Sequence, residues 1–272
     1  MTVLRESAWD DAPGNRFVSV LRSMLTAISS VGLATRLFVS CVASFPAVFA
    51  HKFLRRDLFV QLYSTGIRTL PVVTVVSLFT GMILSLQVGL ELRRFNQEIY
   101  LGAAVMIALI REMAPFSCGM CLAACVGSAI AAETGTMIIN DEVAALEIMS
   151  ISPVRYLAAP RVLALILMAP LIGFFCCVIG TIGGGIVGET QLGVDFRQYI
   201  SGAISIAECK DLFVGIFKSL VFGTIIGIVS VSCGFTTKRD ARGVGKSTQK
   251  SVIVSFLLIL MSGYMITRLC YR

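Results

Sequence analysis

The chain has 272 residues, 56% of them hydrophobic and only 14% charged, with a mean hydropathy of +0.86. That balance excludes an ordinary soluble domain, and five or six apolar runs leave no room for one beside them. The net charge of +7 does not point to nucleic acid, because the basic residues form no single stripe but cluster beside the ends of apolar runs.

Residues 1–14 are polar and acidic, with no basic start ahead of a short apolar core. No cleavable signal is expected, and the amino terminus should stay in the cytoplasm. From Asn15 to Ala50 the apolar residues are interrupted by Arg16, Arg22 and Arg36. That mixture reads as a helix lying in the membrane interface, followed by a partly inserted segment. Residues 1–57 thus form an amino-terminal unit, and 58–272 a membrane domain.

Within that domain about five crossings are expected, at 70–90, 101–132, 156–187, 212–235 and 251–267, each long and apolar enough to span a bilayer as a helix. The second is longer than one crossing needs at 1.5 Å per residue. Pro115 lies inside it and removes a backbone hydrogen bond, which predicts a kink or break there. The polar stretches 91–100 and 188–211 read as a turn and a loop. His51, Lys52, Arg55, Arg56 and Arg68 form one basic cluster, and Lys238, Arg239, Arg242, Lys246 and Lys250 another. Placing both clusters inside puts the amino terminus in the cytoplasm and the carboxyl terminus outside. Arg93, Arg94, Arg268 and Arg272 run mildly against that rule.

Between the second and third crossings lies a charged insert, Glu133 to Arg155. Asn140 is expected to cap a short helix whose first turn holds Asp141 and Glu142, where the dipole favours negative charge. Val143, Leu146 and Met149 give it a narrow apolar face, and Ser152-Pro153 ends it. A helix of about ten residues is too short to stand alone in water. This reads as a surface built to be gripped by a soluble partner, set against the alternative of a solvated loop helix.

Ionisable residues inside crossings are costly and face protein or water. Arg111 and Glu112 are adjacent and point about 100° apart on a helix, so they do not simply pair with each other. Lys218, some six residues into its crossing, is a candidate partner for Glu112. Two readings stand side by side: Arg111 and Lys218 line the polar rim of a lipid site and meet a phosphate, or they serve in structural charge pairs. Gly180, Gly184 and Gly188, like Gly223 and Gly227, repeat at four-residue spacing, which permits close helix approach within one subunit or at a homodimer seam. Most of the nine cysteines lie inside apolar runs. Cys118, Cys121 and Cys125 share a helical face, but the only histidine is distant His51, so packing is the reading and no metal site is expected. Gly243-Val-Gly245-Lys246-Ser247 imitates the end of a phosphate-binding loop, yet the full pattern needs glycine where Asp240 stands. No nucleophile, acid-base pair or metal spacing points to an enzyme.

Many positions then agree with one family. Glu133-Thr-Gly-Thr-Met137, the run from Asp141 through Glu142, Leu146 and Glu147 to Met149, Pro153, Arg155-Tyr-Leu157 and Pro160-Arg161 carry the resemblance. It extends to Arg111-Glu112 with Pro115, to Gly127 through Glu133, to Lys218 through Gly223 and to Gly243-Val-Gly245, covering roughly residues 60–270. The chain resembles the MlaE/YrbE family, the membrane permeases of ABC transporters that move lipids between bacterial envelope membranes, with a plastid counterpart. The resemblance implies an all-α integral membrane protein, with an amino-terminal interfacial helix, five transmembrane helices and a cytoplasmic coupling helix, working as a homodimer. Glu133, Asp141, Glu142, Leu146, Glu147 and Met149 would couple it to a separate ATPase subunit, which holds the ATP and magnesium. An MCE-domain lipid-binding protein would complete the assembly on the outer face, and membrane lipids would be the cargo. It also implies the bacterial inner membrane, or the plastid inner envelope. Two positions depart from the family: Ala124-Cys125 stand where Gly-Arg is common, and Gly263 stands where an acidic residue is common. The rival readings are an ion-gradient-driven secondary transporter, which needs more buried carboxylates and often repeated halves, and a non-transporting membrane scaffold.

Overall fold

A computed structural model describes residues 32, 35, 39–41, 52–238 and 240–271. The expected interfacial helix over 15–50 therefore falls almost wholly outside the described residues. Those described are helical, with no strand among them. Among the described residues from Lys52 onward, eight helices follow in order: α1 (Lys52–Thr65), α2 (Leu70–Arg94), α3 (Glu98–Ile139), α4 (Glu142–Ile148), α5 (Val154–Leu192), α6 (Phe196–Ile206), α7 (Cys209–Phe235) and α8 (Ala241–Cys270). Five helical stretches among the described residues are long and apolar enough to cross a membrane. They make the protein a multi-pass, all-α membrane protein.

The helices are longer than their apolar cores. The second crossing continues as helix through Glu133 to Ile139, which shortens the charged insert to α4 and its flanking turns. The stretch expected as a loop at 188–211 contains α6, whose Tyr199 and Ala203 are buried. Most of the basic stretch 236–250 is helical and belongs to α8. Polar residues extend these helices beyond their apolar stretches because an exposed helix end can still satisfy its backbone through side chains and water.

Glycine sets the packing of the centre. α2 and α5 run side by side so closely that a Cβ on Gly81 would collide with the Gly180 carbonyl. Gly223 gives α7 the same intimacy with Leu165 and Ala169 of α5. The four-residue glycine repeats thus serve packing within one chain. The core lies where α3, α5 and α7 meet, around Leu109, Cys118, Leu122, Leu165, Ile172 and Ile226. α8 stays peripheral, its Leu257, Met261, Tyr264, Met265 and Leu269 exposed.

Pro115 does not break α3. A π-turn over Leu109–Met113 precedes it, with the Ala114 amide reaching back to the Leu109 carbonyl. The same device, Val154–Ala158, precedes Pro160 at the start of α5, where the Ala159 amide reaches Val154. Widening the turn by one residue carries the chain past an amide that proline cannot offer.

Candidate functional site

At the end of the bundle away from the insert, α3 presents Arg111 and Glu112 to different partners. The Arg111 guanidinium donates from Nε to Asp211 Oδ1 and from Nη2 to Oδ2, both at 3.0 Å. This two-pronged pairing is the strong form of the contact. The Tyr271 hydroxyl donates to Asp211 Oδ1 at 2.7 Å, while the Tyr271 ring lies 4.4 Å from the guanidinium carbon. The Asp211 side chain is 3% exposed and that of Arg111 35%. A carboxylate so enclosed requires these donors, because an unpaired buried charge is prohibitive. Burial, and then the bond to Asp211, push the Tyr271 phenol up, which keeps its hydroxyl a donor.

One step along α3 a second cluster forms. Lys218 Nζ, on a side chain 1% exposed, donates to Glu112 Oε1 at 2.8 Å, to the Arg111 carbonyl at 2.6 Å and to Thr267 Oγ1 at 2.7 Å. Thr267 Oγ1 also stands 2.5 Å from Glu112 Oε1. All three ammonium hydrogens are therefore occupied by protein. Glu112 and Lys218 form the polar edge of a cavity of about 270 Å³ between α3, α7 and α8. Its other walls are apolar or small: Met113, Phe116, Phe222, Ile259, Gly263 and their neighbours. Gly263, one of the two departures from the family pattern, thus lies on the cavity wall. Cys125, the other, is half-buried in the π-turn Ala123–Gly127.

The residues expected to couple to a partner are dispersed at the opposite end. Arg161 is 5% exposed; it donates from Nη1 to Thr134 Oγ1 at 2.8 Å and from Nη2 to Glu133 Oε2 at 3.1 Å. Glu133 therefore ties α3 to α5 while half its side chain remains in the open. Asn140 does not start α4. It closes α3, and Asp141 takes the cap position in the left-handed region at φ 56°. The Asn140 amide instead reaches Glu142 Oε1 at 3.2 Å.

The narrow apolar face is also divided. Val143 is buried and Leu146 half-buried, but Met149 lies past the last turn and is exposed. Ile148, which sequence reasoning passed over, is 85% exposed and stands beside exposed Met149 and Ile151, with Glu142 and Glu147 exposed on the same short element. A helical wheel drawn over seven residues is too short to separate the two faces, so only the exposure of Ile148 reveals it.

Elsewhere, Cys118 donates to the Ala169 carbonyl at 3.4 Å and packs in the core. The stretch Gly243–Ser247 lies inside the first turns of α8, where its amides belong to the helix and form no loop.

Comparison with known proteins places the chain in a family. Residues 58–269 match the family described as Permease MlaE. A probable ABC transporter permease protein of Rickettsia typhi is 37% identical over 212 residues, covering 78% of this chain and 82% of the relative. The intermembrane phospholipid transport system permease protein MlaE of Haemophilus influenzae is 28% identical over 212 residues, 78% of this chain and 81% of the relative. Protein TRIGALACTOSYLDIACYLGLYCEROL 1, chloroplastic, of Arabidopsis thaliana is 30% identical over 217 residues, 80% of this chain and 62% of the relative. This chain belongs to the MlaE permease family.

Proposed function

We propose that this chain is the membrane-embedded, non-catalytic half of an ATP-driven phospholipid transporter in a bacterial inner membrane. The observation that carries the reading is the pairing of a protruding short helix at one end with a charge-edged apolar cavity toward the other. α4 offers Ile148, Met149 and Ile151 beside Glu142 and Glu147, a knob of apolar residues ringed by acids that fits a basic-rimmed groove on a separate ATPase. ATP and magnesium reside on that subunit. The cavity between α3, α7 and α8 has the apolar walls an acyl chain requires and, at Glu112 and Lys218, a polar edge for a headgroup. Two copies of the chain complete the pathway, and an MCE-domain protein on the outer face receives or delivers the lipid. The name of the Haemophilus relative supports phospholipid as the cargo, and that of the Arabidopsis relative keeps a plastid envelope as the other setting.

Arg111 and Lys218 serve this site mainly through structural pairs, because Asp211, Glu112, Thr267 and a carbonyl already take most of their hydrogens. The test is reconstitution of the chain with its co-expressed ATPase in vesicles, followed by transfer of a fluorescent phospholipid. Transfer that requires ATP supports the reading. Transfer without ATP supports an ion-driven carrier, and ATPase binding with no lipid movement supports a scaffold.

A further inference from the structure

Helices α3, α7 and α8 meet at a fault in the backbone. Pro115 has no N–H, so the Arg111 carbonyl, four residues earlier, lacks the amide that a regular helix would supply. Two carbonyls within the π-turn over Leu109–Met113 face α7. That of Ile110 faces Gly215, where a Cβ would stand 2.7 Å from the oxygen. That of Arg111 accepts from Lys218 Nζ at 2.6 Å, closer than Glu112 Oε1 at 2.8 Å. Gly215 and Lys218 are three residues apart and so share one face of α7. The sequence of α7 thus offers an open space and then a cation where α3 has displaced its carbonyls.

We propose that Lys218 is a positioning residue whose ammonium stands in for the amide that Pro115 lacks, so that α7 holds the π-turn of α3 and the cavity wall carrying Glu112 and Met113. Through Thr267 the same ammonium extends the tie to α8. Lysine suits this position because its stem crosses the gap between helices and its three hydrogens point in three directions. The planar fork of arginine cannot serve three acceptors gathered around one nitrogen. The inference rests on the geometry of the crossing and stands independently of lipid transport.

Thermal unfolding of the full chain in detergent tests it, in a Glu112→Gln background that leaves no carboxylate unpaired. Lys218→Met lowers the midpoint by several degrees. Adding Pro115→Ala, which restores an amide to the Arg111 carbonyl, recovers at least half of that loss, while Pro115→Ala alone shifts the midpoint little. Losses that simply add, with no recovery in the double variant, overturn the proposal. If Lys218→Met yields no monodisperse protein, the yield of the double variant decides in the same way. Its recovery supports the inference, and its loss beside a well-behaved Pro115→Ala single variant overturns it.

Discussion

Asp211, in the first turn of α7, and Tyr271, just past the last turn of α8, meet through a 2.7 Å hydrogen bond that closes a ring with Arg111. Tyr199, on α6, offers the opposite case: its side chain is fully buried, but among the described residues its hydroxyl has no hydrogen-bond partner. The two tyrosines should therefore respond differently to loss of the hydroxyl. Tyr271→Phe is expected to cost about 1 kcal/mol, because a buried carboxylate loses a donor. Tyr199→Phe should be neutral or slightly stabilising, since it removes a buried polar group that nothing among the described residues satisfies. Removing the cation is worse: Arg111→Met should cost about 3 kcal/mol by stranding Asp211. Denaturation midpoints of the three purified variants in one detergent give the order, and equal losses for the two tyrosines would contradict it.

At the insert end Arg161 plays the comparable part. Its two nitrogens hold Thr134 and Glu133 on a neighbouring helix, from a side chain only 6% exposed. Lysine carries the charge but not the planar fork, so Arg161→Lys should lose one of the two contacts and about 1–2 kcal/mol. Arg161→Ala should lose more. Glu133→Gln keeps an acceptor for the guanidinium and should be the mildest of the three. A Lys variant as stable as the parent would show that the fork is irrelevant here.

The sequence disclosed the crossings and several members of both clusters, but not how the clusters close. Hydropathy marks where a helix meets lipid, which is why five spans were legible while their polar extensions to Ile139 and back to Ala241 were not. Lys218 could be matched with Glu112 because both are charges inside apolar runs, where burial makes a charge need a partner of opposite sign. Asp211 was hidden because it stands at the edge of a polar stretch, where an acid needs no explanation. Tyr271 was hidden because a terminal aromatic has no periodic signal. One signal was available: proline at 115 leaves a carbonyl at Arg111 in want of a donor. That deficit, together with a lysine in a neighbouring crossing, foreshadows the 2.6 Å contact.

Two glycines in helices should respond in opposite directions to alanine. At Gly81 a methyl group would strike the Gly180 carbonyl, and the backbone cannot yield as a flexible side chain would. Gly81→Ala should force α2 and α5 apart and cost about 1–3 kcal/mol. Gly245, an exposed position inside α8, has nothing among the described residues within 4 Å of where a Cβ would stand. Gly245→Ala should stabilise the chain by about 0.8–1 kcal/mol through helix propensity alone. Unfolding midpoints of the two variants should move to opposite sides of the parent's.

The exposed apolar tip of α4 makes the sharpest functional prediction. Ile148 and Met149 touch little of their own chain, so changing them should leave stability within about 0.5 kcal/mol. If they seat in an ATPase groove, Ile148→Asp should abolish co-purification of the ATPase and ATP-dependent lipid transfer together. Truncating an apolar anchor that fills a pocket typically costs about 2 kcal/mol or more of binding, roughly a thirty-fold loss of affinity. Val143→Asp provides the control from the other face: the Val143 side chain is buried, so the change should lower the unfolding midpoint before it alters recognition. Pull-down of the ATPase with each variant, set beside its thermal midpoint, separates the two effects. An Ile148→Asp chain that still retains its ATPase and still moves lipid would place the gripping surface elsewhere than α4.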